Sequence, residues 1–437
     1  MFENLLFQPA SQQLSKDICE GQLPNALLFV GAPASGKLTC ALELARTLAC
    51  TARPAGAWQC NCDSCLKHKS LVSTSVLLAG NRSCSLEIAA AAKTFLDAVA
   101  TGASHLRGSR YLFVRSIRKL SARFNPILWE GEDKVSKIAP ILASIDENLE
   151  ELERNPILGV ENPDIGLDFS KVEKLVAGLR NLADKLESGF MYDAIPVAQM
   201  RRVSSWARYK PEFGKKVIIL ENADKMQEGS RNAMLKILEE PPEDVVFILT
   251  TTRRNAVMPT ILSRVRPYNF VSRDGQAQSQ VISRVFHCDI APENIETASI
   301  QDYLLSFLPV SPQEIEQLGH QFIQEIMTGN QVNIESLIKR CGGFEPRLLL
   351  SLFLASLSHC LCNIGLGKDG LNLSQDASTP ETLQQFRLAE LSTQCLKAVH
   401  ECNSHITIYN QGIAAALELL VADISLLVKK YRGGAII

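Results

Sequence analysis

Two uninterrupted apolar runs, at residues 217–220 (VIIL) and 245–249 (VVFIL), frame the most legible stretch of this chain. Strands buried on both faces of a parallel sheet look like this, because no position along them meets water. Between them the segment 232–238 (NAMLKIL) puts its apolar side chains on one stripe, and Pro241 and Pro242 stop that helix just past Glu240. The arrangement predicts a strand, a right-handed crossover helix and a parallel strand. Runs at 26–30 (ALLFV) and 75–79 (SVLLA) read as two further buried strands. Helical spacing recurs in the lead-in, where Leu14 and Ile18 share a side, at 38–49, and beyond Ile195, where Met200, Val203 and Trp206 share a face.

Residues 85–194 interrupt the strand pattern with a mainly helical insertion. Val135, Ile138, Leu142, Ile145, Leu149 and Leu152 recur three and four apart, as do Phe169, Val172, Val176, Leu179, Ala183 and Leu186. The Pro- and Gly-punctuated segment RNPILGVENPDIG between them predicts an antiparallel helical hairpin. Upstream, residues 111–114 (YLFV) read first as a buried strand. The surrounding basic stretch, with Tyr111, Phe113 and Phe124, also admits nucleic-acid contact. From 311 onward the patterns are helical, with stripes broad enough for a bundle that also packs against neighbours, and GKDGLNLSQDASTP is a polar loop within it.

A chain of 437 residues suits two or three domains, each with its own core. Lys plus Arg number 45 against 47 acidic residues, so any contact with DNA has to be local. No apolar run of membrane-span length and no signal peptide are read from the sequence, and a cytoplasmic location is expected. In that reducing compartment 13 cysteines point to thiols and a metal site rather than to disulfides. Cys50, Cys60, Cys62 and Cys65 are close enough in sequence for a structural, tetrahedral Zn2+. The short Cys60-x-Cys62 spacer leaves His68 open as a replacement ligand. Cys341, Cys360, Cys362, Cys395 and Cys402 lie on or beside apolar faces and read as packed thiols.

Gly31-Ala-Pro-Ala-Ser-Gly36-Lys37 joins the strand at 26–30 to the helix at 38–49. A glycine loop in that setting turns backbone N–H groups toward phosphates, and Lys37 adds a point charge. Gly31, Ser35, Gly36, Lys37, Thr39 and Thr251 are the candidate nucleotide contacts, Thr251 with Thr252 standing at a strand end where its hydroxyl could instead satisfy loop backbone. The remaining machinery is altered in three places. Leu38 replaces the magnesium-ligating Ser or Thr, and Thr39 is turned about 100° away along the helix. Where P-loop ATPases carry a magnesium Asp and a water-preparing Glu, this chain has Glu221 and Asn222. Asn222 cannot take a proton from water, and losing a positioned base costs roughly 10²–10⁴ in rate. Hydrolysis and a bound Mg2+ are therefore not expected, while the loop either still holds ATP or keeps only its shape.

NAMLKILEEPPEDVVFILTTT and TILSR, with Phe2-Glu3-Asn4-Leu5 and Leu23-Pro24-Asn25-Ala26 near the start, resemble the bacterial clamp-loader subunits of DNA polymerase III, members of the AAA+ superfamily. The resemblance covers residues 1–80 and 195–270 well, the C-terminal third loosely and the insertion not at all. It implies an α/β AAA+ core over 1–271, a parallel sheet flanked by helices with a zinc-binding excursion at 50–68. It also implies a small helical lid at 272–310 and an all-α collar bundle at 311–437, whose last helix Tyr409-Asn-Gln-Gly-Ile resembles. The family's Cys-x-x-Cys-x-x-Cys module is shortened here. Ser263-Arg264-Val265 matches a Ser-Arg-Cys motif, which implies that Arg264 is an arginine finger acting in trans on a neighbour's ATP. Glu221-Asn222-Ala-Asp-Lys-Met is the wording of the delta-prime type. The implied function is a non-hydrolysing subunit of the holoenzyme that helps load a sliding clamp on primed DNA. Its implied partners are gamma/tau and delta subunits in a hetero-pentamer, the clamp and primer-template DNA, with no membrane. The alternatives are an active gamma/tau-type ATPase and a zinc-containing DNA-binding or scaffold protein outside the loader.

Overall fold

The apolar runs form one sheet of five parallel strands. They are β1 (Ala26–Gly31), β2 (Val76–Ala79), β3 (Lys216–Leu220), β4 (Val245–Thr251) and β5 (Arg266–Phe270), in the spatial order β2-β3-β4-β1-β5. This computed structural model describes the whole chain except residues 53–54, 82, 211–213, 345, 369–380, 408–410 and 433–437. Most of the expected polar loop and the Tyr409-Asn410 phrase therefore lie outside the described residues. Contacts divide the chain into two units, Met1–Leu304 and Leu305–Ile437.

Alternation along the strands sorts their side chains onto two faces. Leu27 and Phe29 of β1, Val217 and Ile219 of β3, and Val246 and Ile248 of β4 share a core with helices Ala10–Cys19 and Lys37–Ala49. Leu28, Ile218, Leu220, Phe247 and Leu249 face the other way, into a core shared with the crossover helix Glu228–Glu239, helix Val197–Arg208 and the insertion. Strand β5 escapes sequence reading because its residues alternate in burial and include a Pro. It is tied to the N-terminal helix by Asp17, whose carboxylate accepts from Tyr268 Oη at 2.6 Å and Arg266 Nη2 at 3.1 Å.

The insertion contains helices Ser85–Thr101 and Leu106–Ser121, then the hairpin of Val135–Arg154 and Phe169–Phe190. The hairpin forms as its spacing predicts, with Ile145, Leu149 and Leu152 buried on one arm and Val176, Leu179 and Leu186 on the other. All of them belong to the core that the sheet also enters. The strand expected at 111–114 is helical instead. A four-residue apolar run does not distinguish the two periods, and the wider stripe of Leu106, Phe113, Ile117 and Leu120 is what this helix buries. Arg107 is exposed, but other basic residues of this helix, and Arg123 just beyond it, turn to the protein itself. Arg110 pairs with Glu161, Arg118 with Glu153, Lys119 with Glu87 and Arg123 with Glu221, and Phe113 and Phe124 are buried.

Helix Gly275–Phe286 and all but the last residue of helix Ile300–Leu305 complete the first unit. The second unit is helical: Pro312–Thr328, Ile334–Arg340, Leu348–Gly365, Glu381–Thr407 and Ile413–Arg432. Its third helix corrects one expectation, since Leu348–Gly365 is long and apolar enough to cross a membrane by composition. Half of its length is buried within the unit, which also explains the apolar composition. Burial pushes Cys341 to about 11, Cys395 to about 12 and Cys402 to about 11, so these thiols stay protonated and packed.

Candidate nucleotide-loop and metal site

The glycine loop lies at the carboxyl end of β1, between the ends of β4 and β5, the rim where open parallel sheets receive ligands. Gly36 is left-handed (φ 94°) and precedes helix Lys37–Ala49, and Gly31 approaches β5 so closely that a Cβ there would stand 2.6 Å from Phe270 O. Both glycines are thus required by the backbone path. Lys37 Nζ donates to Gly31 O and Ala32 O, both at 2.6 Å, and to Ser35 Oγ at 3.2 Å. The ammonium is therefore folded onto its own loop. Leu38 is buried in the core beneath the loop and Thr39 is half-buried.

An arginine that sequence reading missed closes one side of the loop. Arg273 donates to Leu6 O at 2.8 and 3.1 Å and to Ala34 O at 3.1 Å, linking the N-terminal segment to the phosphate loop, and burial lowers its pKa. Gln8 reinforces the join by exchanging two hydrogen bonds with the Val271 backbone, at 2.9 and 3.0 Å. Nothing local in the sequence marks Arg273, because its partners are more than two hundred residues away.

The ends of β3 and β4 are occupied by the protein's own groups. The Glu221 carboxylate, 5 % exposed, is ion-paired with Arg123 from the insertion. Arg123 is itself buried, its carbonyl accepting from Trp129 Nε1 at 2.9 Å. Asn222 is left-handed (φ 52°) and its side-chain amide donates to Asn81 O. Thr251 Oγ donates to Asp224 at 2.7 Å and accepts from the Arg253 backbone at 2.9 Å, while Asp224 also receives Arg253 Nη2 at 3.1 Å. Thr251 is fully buried, and here its hydroxyl serves the loop at the strand end. The residues present do not fit a hydrated magnesium ion: the carboxylate faces a guanidinium, and Leu38 brings no oxygen.

Arg264 follows the short helix Pro259–Leu262 on the surface. Its guanidinium binds Glu239 Oε1 at 2.9 Å and Thr260 O at 2.8 Å, with a third of the side chain exposed.

The four cysteines converge. The sulfurs of Cys50, Cys60, Cys62 and Cys65 all lie within 4.8 Å of one another, and Cys50 and Cys60 are 3.7 Å apart. Tetrahedral corners on bonds of about 2.3 Å stand roughly 3.8 Å apart, so the donor set and its spacing fit zinc. The shortened spacer is accommodated because Cys62 caps helix Asp63–Lys69, its sulfur accepting from Cys65 N at 3.4 Å. Burial opposes a Cys62 thiolate, but hydrogen bonds from Thr51 and Cys65 outweigh it and draw the thiol down to about 5. Burial and its bonds to Cys50 and Cys62 hold Cys65 at about 12 despite Arg46. Arg46, 1 % exposed, binds Cys65 Sγ at 3.1 Å, the carbonyls of Gly56 and Ala57, and Glu43, so the cluster is anchored to the helix that follows the phosphate loop. His68 stands apart from the four sulfurs, with its Nε2 3.2 Å from Ser73 Oγ and 3.3 Å from Ser75 Oγ. Its carbonyl and that of Lys69 accept from Arg115 of the insertion, and Tyr111 Oη donates to Lys69 O at 3.0 Å.

Comparison with known proteins agrees with this architecture. A sequence profile described as "DNA polymerase III, delta subunit" matches residues 7–151 and 168–274, more than half of the chain. The DNA polymerase III subunit delta' of Pseudomonas aeruginosa is 29% identical over 133 residues, 30% of this chain and 38% of that protein. The subunit gamma/tau of Mycobacterium tuberculosis is 34% identical over 90 residues, 20% of this chain and 16% of that protein. The subunit tau/gamma of Haemophilus influenzae is 35% identical over 100 residues, 23% and 14% respectively. The matched stretch thus spans less than two fifths of each relative. A parallel sheet carrying a phosphate loop, covered by a profile match across more than half the sequence, places this chain in the DNA polymerase III delta-subunit family, among the clamp-loader subunits of the AAA+ type.

Proposed function

We propose that this chain is a delta-prime-type clamp-loader subunit: it does not hydrolyse ATP itself and presents Arg264 to nucleotide held by a neighbouring subunit, helping to place a sliding clamp on primed DNA. One observation carries the reading. The carboxylate that would organise magnesium, Glu221, is buried in an ion pair with Arg123. An active motor needs that group free to hold a cation and a second group to prepare water. Arg264 supports the same reading from the other direction, because a surface pair with Glu239 is worth at most about 1 kcal/mol and is readily exchanged for a phosphate. On this view residues 272–310 act as the lid and 311–437 as the collar that meets the other subunits, in the cytoplasm. Cys50, Cys60, Cys62 and Cys65 hold a structural zinc with no open coordination position.

Steady-state ATP turnover by the isolated chain is the direct test. The expected rate is at background; turnover that disappears on Lys37→Ala would show a gamma/tau-type motor instead. Failure to co-assemble with the other loader subunits would favour a scaffold acting elsewhere. For the metal, elemental analysis should find one zinc ion per chain that depends on the cysteines and that Cys60→Ser removes.

A further inference from the structure

A second group of metal-ligating side chains lies in the C-terminal unit, far in sequence from the cysteines. Helices Pro312–Thr328 and Leu348–Gly365 pack closely where Gly319 faces Ser356, and a Cβ on Gly319 would stand 1.7 Å from Ser356 Oγ. Ser356 Oγ donates across the crossing to Glu316 O at 3.4 Å. This contact fixes what stands beside it. Glu316 and His320 are one helical turn apart on the first helix, and His359 is three residues beyond Ser356 on the second. One donor atom from each of the three lies within 4.8 Å of the others.

We propose that Glu316, His320 and His359 form a binding site for a divalent transition ion of the zinc class. Two imidazoles and one carboxylate are a donor set for zinc, nickel, cobalt or copper, whereas magnesium and calcium take oxygen shells. Zinc bonds of about 2.0–2.1 Å to nitrogen and oxygen put the donors roughly 3.3 Å apart. Glu316 and His359 are exposed and His320 is half-buried, so the contraction needs only side-chain rotation on two helices already fixed by Gly319. Three protein ligands leave a fourth position for water. A bound ion clamps the first and third helices of the unit together, and stabilises it by mass action.

The site is independent of the cysteine cluster and can be tested separately on the full chain. After dialysis against saturating zinc, elemental analysis should find two ions per chain. His320→Ala or His359→Ala should each leave one, and Cys60→Ser should remove the other. With cobalt(II) in place of zinc, the ion lost in the histidine variants should carry no sulfur-to-cobalt charge-transfer absorption, and the ion lost in Cys60→Ser should carry it. Zinc should also raise the melting temperature of the wild type more than that of either histidine variant. All three side chains are at or near the surface, so these variants should fold. Metal content unchanged in both histidine variants overturns the proposal, as does a wild-type chain whose bound zinc is removed entirely by Cys60→Ser.

Discussion

The two halves of the nucleotide region have been treated differently. At the end of β1 the loop keeps its glycines, its left-handed turn into the helix and its lysine, and what surrounds it, Arg273 and the N-terminal segment, leaves the loop in shape. At the ends of β3 and β4 three polar side chains have internal partners: Glu221 with Arg123, Asn222 with Asn81, Thr251 with Asp224. One half still has the form that holds phosphate, and the other has no carboxylate available for a cation. On the proposed reading, binding and hydrolysis separate because they use different strand ends, and Arg123 of the insertion acts on the second alone.

The sharpest way to break this contrast is Arg264→Ala in a reconstituted loader. ATP turnover by the neighbouring subunit should fall about 10³–10⁵-fold, and undiminished DNA-stimulated turnover would remove the role in trans. Next in size is Arg123→Ala, which leaves Glu221 buried without its guanidinium. Chemical denaturation should show a loss of about 3–5 kcal/mol, while the double change Arg123→Met with Glu221→Met should be far milder. If the single variant gains ATPase activity, the ion pair alone was the block. Lys37→Ala probes the other half: calorimetric titration with ATP should lose about 1.5–3 kcal/mol of affinity, the worth of a hydrogen bond to a charged group, and no measurable binding by the wild type would mean that only the shape of the loop persists. The last test lies away from the strand ends, at Glu187, whose carboxylate accepts from Cys84 N at 3.1 Å. Burial is the main cause that pushes it from 4.5 up to about 7. Between those values the folded chain holds a proton that the unfolded chain has released, so Glu187's contribution to stability is fully present below pH 4.5 and is lost as the pH rises through about 7. Glu187→Gln should flatten that part of the curve, read from urea midpoints across the range.

What the sequence made legible was what local pattern can encode. Strands β1 to β4 and the phosphate loop announce themselves within a dozen residues, and each hairpin arm does so within its own helix. The four cysteines were also legible, because metal ligation needs only a few donor types at short spacing. The misreading at 111–114 came from judging four residues where the helix buries a stripe from Leu106 to Leu120. Arg123 and Arg273 were invisible for a different reason: each acts on backbone or carboxylate brought to it only by the complete sheet. His68 shows the converse. Its spacing suited a ligand, and the fold turns its ring to Ser73 and Ser75.

The strand order has a consequence for how the chain is made. β1 and β2 are synthesised first, yet they are not neighbours; β1 pairs with β4 and β5, and β2 pairs with β3. At about 5–20 residues per second, the ribosome needs roughly 7–27 seconds after β2 before β3, the strand that pairs with it, emerges. Through that interval the nascent N-terminal segment carries apolar ribbons with open edges, and a holding chaperone has its clearest opportunity there.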